Sequence, residues 1–232
     1  MLEFKSFASG SAGNLNTLSD GEGTYIMLDC GLPWRKVRKM LNFKTSEFSG
    51  ICLTHHHKDH SAGIADAVRA GVDVYLLPET SEALGLEGHR VHEITLLDQF
   101  KIGTFQVKAF PLEHDAPNCG FLFVNGEGEK AVYITDTAYC RFVFPPLSII
   151  AVGVNYSLDI LRANVASGVV SSELKRRIIQ AHMSLGSLGD FIRANDLSKV
   201  EAIHLLHGSK INLDREEARR QVQAWTGKPV YA

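Results

Sequence analysis

Thr54-His55-His56-His57-Lys58-Asp59-His60 is the stretch on which the fold and the chemistry turn. Four metal-ligand types, His55, His57, Asp59 and His60, crowd together directly after a short apolar strand predicted at Gly50–Thr54. Imidazole nitrogen and carboxylate oxygen are donors that Zn²⁺ and similar borderline ions accept. Side chains this close in sequence cannot all wrap one ion, but they can supply parts of two adjacent sites. The remaining ligands must come from distant strand ends, where a rigid scaffold presents its loops. His114 after Phe105–Phe110, Asp136 after Ala131–Thr135 and His207 after Ala202–Leu206 are the candidates. Each follows an apolar strand directly or within a few residues.

Composition sets the frame around this cluster. A chain of 232 residues, 45% hydrophobic and 22% charged, can bury one sizeable core. No apolar run is long enough to span a bilayer, and Met1-Leu2-Glu3-Phe4-Lys5 does not start a secretory signal. Cys30, Cys52, Cys119 and Cys140 are scattered without a CxxC pair and read as reduced, mostly buried thiols of a cytoplasmic protein. A formal charge of -2 offers no global attraction to polyanions, so nucleic-acid binding needs a local basic patch.

No repeat or linker interrupts the chain, which reads as one domain over 1–232. The first half reads as strands joined by turns, at Leu2–Phe7, Leu15–Leu18, Tyr25–Asp29, Gly50–Thr54 and Val74–Leu77. Pro33 opens a helix to about Met40, and Ser61 reads as the N-cap of a helix near Ala62–Ala70. Strands continue at Phe105–Phe110, Gly120–Val124, Ala131–Thr135 and Ile149–Val154. After that, apolar spacing predicts helices at Ser171–Ala181, Leu185–Ala194 and Glu216–Trp225, with one strand at Ala202–Leu206. The pattern implies two facing sheets with helices outside and late in the chain.

The quoted stretch matches the T-H-x-H-x-D-H signature and resembles the metallo-β-lactamase superfamily. Asp29, His114, Asp136 and His207 match later family positions in order, so the resemblance covers nearly the whole chain. It implies an α/β fold, the αββα sandwich. It also implies two divalent ions, Zn²⁺ or else Mn²⁺ or Fe²⁺. His55, His57 and His114 would hold one ion, Asp59, His60 and His207 the other, with Asp136 bridging. Asp29 would orient a ligand histidine, and Asp59 would be indispensable to catalysis. Ala8-Ser9-Gly10-Ser11-Ala12-Gly13-Asn14, Val154-Asn155-Tyr156 and Ile179-Gln180-Ala181-His182-Met183-Ser184-Leu185 resemble the compact YycJ-type branch, which includes exonucleases. Phage phosphodiesterases that degrade cyclic-nucleotide immune signals are close relatives of that branch. The glycine-rich stretch lacks the Gly-Lys-Ser/Thr ending of a phosphate loop and also reads as a tight turn.

Departures from the family patterns narrow the reaction. Zinc β-lactamases carry cysteine where Asp136 stands, and flavodiiron members carry glutamate where His57 stands. From Asp136 to His207 is 71 residues (207 − 136), too few for the inserted domain of β-CASP nucleases. Glyoxalase II-like thioester hydrolases add a helical domain, whereas 25 residues (232 − 207) follow His207. The expected activity is hydrolysis of a nucleotide phosphodiester by a metal-bridging hydroxide. The substrate is a cyclic nucleotide signal or short or single-stranded nucleic acid. YycJ-type exonuclease, thioester hydrolase and non-catalytic nucleotide-binding scaffold are the alternatives. His182, after a helix carrying Lys175, Arg176 and Arg177, is either the general acid or a helix-end residue. Asn155 and Lys175 are candidate substrate contacts. A homodimer, in a bacterial or phage-infected cytoplasm and not in a membrane, completes what the resemblance implies.

Overall fold

Segments rich in β-branched and aromatic residues become strands where a sheet face can bury them. The chain, described over residues 1–232 in a computed structural model, forms two mixed sheets of this kind. Six strands make the first, side by side in chain order: β1 (Glu3–Ala8), β2 (Leu15–Ser19), β3 (Tyr25–Leu28), β4 (Phe48–Cys52), β5 (Val74–Leu76) and β6 (Val91–Glu93). β1, β2 and β3 pair antiparallel, and from β3 to β6 every pairing is parallel. Seven strands make the second: β7 (Gln99–Ile102), β8 (Phe105–Leu112), β9 (Asn118–Val124), β10 (Lys130–Ile134), β11 (Ile149–Gly153), β12 (Ala202–Leu206) and β13 (Val230–Tyr231). Eight α-helices accompany the sheets: α1 (Trp34–Met40), α2 (Lys58–Ser61), α3 (Ile64–Arg69), α4 (Pro78–Leu84), α5 (Leu158–Ala166), α6 (Ser172–Ala181), α7 (Leu185–Ala194) and α8 (Arg215–Thr226). The architecture is the αββα sandwich expected from the sequence.

The chain falls into two compact units, Met1–Pro111 with Ala116–Lys130, and Leu112–Asp115 with Ala131–Ala232. In the first unit Leu15, Met27, Val37, Ile51, Leu53, Ile64 and Val74 form one fully buried cluster. Burying each such side chain contributes about 1.5–3 kcal/mol. In the second unit β10, β11, β12 and β13 run parallel, and β11 (Ile-Ile-Ala-Val-Gly) is buried along its whole length. Strands covered on both faces read as continuous apolar runs, which is why β10 to β12 are visible in the sequence. Helices α6, α7 and α8 begin at Ser171, Ser184 and Asp214, whose side chains accept from Leu174 N, Ser187 N and Glu217 N at 3.1, 3.0 and 3.0 Å.

Two sequence expectations change. Ser61 is not an N-cap. It ends α2, and its Oγ donates back to the carbonyls of His56 (2.8 Å) and His57 (3.0 Å), while α3 starts after Gly63. The helix expected at Ala62–Ala70 is therefore broken, because the ligand-bearing turn takes its own helical turn first. Nor do two early helices suffice, since α4, which was not expected, joins β5 to β6. All four cysteines are free and buried, as composition suggested.

His204 on β12 stacks on Tyr231, ring centroids 4.9 Å apart at 17°, and burial pushes its pKa from 6.5 down to about 4. Above about pH 6.5 the ring is neutral in both folded and unfolded chains and adds no pH dependence. Below that value the unfolded chain takes up the proton first, so stability is lost as pH falls toward the folded value. His204→Phe keeps an aromatic stack but not the titration. Urea unfolding from about pH 7 to about pH 4 is expected to show the variant losing less stability than wild type, by roughly 1–3 kcal/mol.

Candidate functional site

In the first unit the ligand-type residues gather around Asp29. It follows β3 at φ 60°, a left-handed conformation that aspartate tolerates better than most residues. Register sets Leu28 opposite Cys52, so Asp29 emerges beside the end of β4, where its N–H bonds to Cys52 O at 3.0 Å. Its carboxylate, fully buried, accepts from Thr54 N (3.0 Å) and Thr54 Oγ (2.9 Å) on Oδ1, and stands 2.8 Å from His60 Nδ1 on Oδ2. A hydroxyl has one proton. Since Thr54 gives its proton to Asp29, the 3.0 Å contact between Thr54 Oγ and His55 Nδ1 must run from the ring to the oxygen. Both His55 and His60 thus carry their proton on Nδ1 and keep Nε2 as the donor atom for an ion. Asn14 agrees with this assignment, because its Nδ2 lies 3.0 Å from His60 Nε2 and can only donate there.

The turn itself is held from two sides. Asn14 N and Nδ2 donate to Asp59 O at 2.8 and 3.0 Å, and Cys30 N donates to His60 O at 2.8 Å. Gly31 packs so tightly that an added Cβ would lie 1.6 Å from Asp59 O, so no other residue fits without moving the turn. Within this unit His55 and His57 offer ligand atoms within 4.8 Å of one another, as do Asp59 and His60. The rings of His55 and His57 are 4.7 Å apart, and Asp59 Oδ2 is 3.7 Å from His60 Nε2.

The second unit supplies the other set. Parallel register aligns Ile134 with Val152 and Gly153 with Leu206, so the residues just past β10, β11 and β12 share one edge. Asp136 (φ 49°) and His207 (φ 53°) turn left-handed there, and Asp136 Oδ1 lies 3.1 Å from His207 Nδ1. His114 Nδ1 donates to Ala181 O at 2.9 Å, leaving Nε2 as its outward atom, 3.1 Å from Asp115 Oδ1. Burial lowers the His114 pKa against the opposing pull of Asp136 and Asp115, which favours the neutral form that ligates metals. His182 ends α6 in extended conformation. Its ring stacks on His207 (5.4 Å, 16°), lies 5.6 Å from His114, and brings Nδ1 to 3.3 Å from Asp136 Oδ1. Asn155 N to Met183 O (2.9 Å) and Leu185 N to Tyr156 O (2.9 Å) pin the segment that carries it.

Two substrate-contact expectations look different in place. Asn155 spends its side-chain amide on His207 O at 2.9 Å, so it supports the backbone of a ligand-type residue. Lys175 lies two turns before His182, about 10 Å along the helix axis. The α6 cation that meets the His114 loop is Arg177, 4.0 Å from Asp115. Thr54, the hydrogen-bonding link from Asp29 to His55, and Asn14, the clamp on Asp59 and His60, are functional residues that the sequence alone did not single out, although both lie inside quoted stretches. The donor sets are all imidazole and carboxylate, three of their supporting or ligand-type residues hold left-handed backbone, and the rings of His55, His60 and His114 have fixed tautomers. Such sets fit divalent ions of the Zn²⁺, Mn²⁺ or Fe²⁺ type.

Comparison with known proteins gives a consistent picture. Residues 24–148 match the family described as "Beta-lactamase superfamily domain". Exodeoxyribonuclease WalJ of Streptococcus pneumoniae serotype 2 is 26% identical over 94% of this chain and 85% of that protein. Exodeoxyribonuclease YycJ of Bacillus anthracis is 26% identical over 95% of this chain and 88% of that protein. The metallo-β-lactamase fold protein YhfI from Bacillus subtilis superposes with a TM-score of 0.76 at 14% identity, covering 99% of this chain and 95% of that one. The chain belongs to the β-lactamase superfamily and is one of its metal-dependent hydrolases.

Proposed function

We propose that this chain is a dinuclear metal-dependent nuclease that cuts phosphodiester bonds in nucleic acid, single-stranded DNA first among them. The observation that carries the proposal is the Asp29-centred network, which commits His55 and His60 to present Nε2. Buried histidines fixed in this way are built to hold ions rather than to fill a core. In this assignment His55, His57 and His114 serve one ion, Asp59, His60 and His207 the other, and Asp136 both, with zinc the expected metal. Similarity to proteins named exodeoxyribonuclease supports a nucleic-acid substrate over a cyclic nucleotide.

Two bound divalent ions would supply Lewis acidity and a water of lowered pKa. The protein's own part is to fix the ligands, exclude water from behind them and move a proton. Asp29 and Thr54, both fully buried, form the dry floor beneath the histidines. His182, its ring partly exposed and its Nδ1 3.3 Å from Asp136 Oδ1, is the group placed to protonate a leaving alkoxide. A cytoplasmic homodimer is carried as part of the same proposal, and sedimentation velocity decides the pairing. No helix is long and apolar enough to cross a membrane.

The proposal is tested with metal-loaded protein on a panel of single-stranded DNA, RNA, 3′,5′-cyclic mononucleotides, bis(p-nitrophenyl) phosphate and S-lactoylglutathione. Turnover of DNA and of the small diester is expected. Turnover of the thioester alone, or of cyclic nucleotides in preference to any strand, would overturn it. His182→Ala should lower kcat on DNA by roughly 10²–10⁴-fold, but far less on bis(p-nitrophenyl) phosphate, whose leaving group needs no acid. Equal losses on both substrates would remove the general-acid role. Asp29→Ala should weaken divalent-ion affinity by about 10–100-fold in a chelator competition titration, and unchanged affinity would contradict its orienting role.

A further inference from the structure

Two arginines of the second unit are tied to the residues on either side of His114. Arg141 Nη2 lies 2.7 Å from Glu113 Oε1, and Arg177 Nη2 lies 4.0 Å from Asp115 Oδ2. Their side chains are 76% and 69% exposed, so each carboxylate steadies a guanidinium that otherwise faces water. The loop between them is itself fixed. Glu113 N donates to Thr137 Oγ (3.0 Å), Ala138 N donates to Glu113 O (3.2 Å), and His114 Nδ1 donates to Ala181 O (2.9 Å). The positions of both arginines are therefore referenced to His114 and to the end of α6 that carries His182.

Stability gives little reason for this arrangement, because an ion pair this exposed contributes little net stability. For the same reason a phosphate can take the place of either carboxylate at small cost. A guanidinium offers a phosphate two parallel hydrogen bonds, and phosphate brings the negative charge that the carboxylate supplied. The chain's net charge of -2 supplies no general attraction for a polyanion, so any grip on a strand has to be local. Lys175 and Arg176 precede Arg177 on α6, so this helix carries three consecutive cations.

The geometry points to Arg141 and Arg177 as a phosphate clamp that holds a nucleic-acid strand on both sides of the position marked by His114. This inference rests on the nuclease proposal and deepens it, because a clamp with two separated cations selects a substrate with several phosphates. A mononucleotide ring carries a single phosphate and cannot engage both arms while that phosphate is being cut. A strand can.

The test measures binding of a fluorescent single-stranded oligodeoxynucleotide to the metal-loaded protein, by anisotropy, from about 50 to about 200 mM salt. Each of Arg141→Gln and Arg177→Gln should flatten the slope of log Kd against log salt by about 0.7, and the double variant by about 1.4. The double Arg→Lys variant, which keeps the charges, should retain the wild-type slope. In turnover, the double Gln variant should lose at least tenfold more kcat/KM on the oligonucleotide than on bis(p-nitrophenyl) phosphate. Slopes unchanged in both single variants, or equal losses on the two substrates, would overturn the clamp. Should wild type cut no phosphodiester, the nuclease proposal fails, while the binding slopes still decide whether these arginines hold phosphates.

Discussion

One buried carboxylate organises the ligand turn. Asp29 accepts two hydrogen bonds from Thr54 and faces His60 Nδ1, and through the Thr54 hydroxyl it also dictates the proton position on His55. A buried carboxylate without such partners would carry a heavy desolvation penalty, so the network satisfies Asp29 while orienting two rings. The consequence for function is direct. A histidine free to change tautomer or flip presents its lone pair only part of the time, whereas these two are committed before any ion arrives.

Strand topology explains why so few residues suffice. Parallel pairing brings the carboxyl ends of neighbouring strands to one edge, and the residue past each end can turn inward if its backbone turns left-handed. Asp29, Asp136 and His207 all do so, at φ 60°, 49° and 53°. Left-handed conformation in residues other than glycine costs stability, about 1–3 kcal/mol each, and persists only where surrounding structure enforces it. Here the enforcement is the ladder of β3 with β4 in one unit and of β10, β11 and β12 in the other. The same edges carry the segments that pin His182 and support His207 through Asn155.

Much of this was legible in the residues. The apolar runs of β4, β10, β11 and β12 announced themselves, as did α6, α7 and α8, whose caps at Ser171, Ser184 and Asp214 have a local sequence signature. The ligand cluster was visible because its residue types are rare together and its followers recur after strands. Other elements were hidden for identifiable reasons. β6 is three residues long, too short for alternation to show. α4 did carry signals, Pro78 at its start and Gly85 left-handed at its end, but its polar run Pro-Glu-Thr-Ser-Glu offered no apolar stripe. Ser61 misled because an N-cap residue also serves as a back-bonding residue inside a turn, and only tertiary contacts decide which. Thr54, Asn14 and the two arginines were unreadable as partners, since their roles depend on atoms distant in sequence.

Most of the chemistry proposed for this chain follows from where two protons sit. Long-range ¹H–¹⁵N correlation of the imidazole rings in ion-free protein at neutral pH observes them directly. His55 and His60 should each appear neutral with the proton on Nδ1, and Thr54→Val should release His55 from that state while leaving His60 in it. A proton on Nε2 of either ring in the wild-type protein would contradict the account.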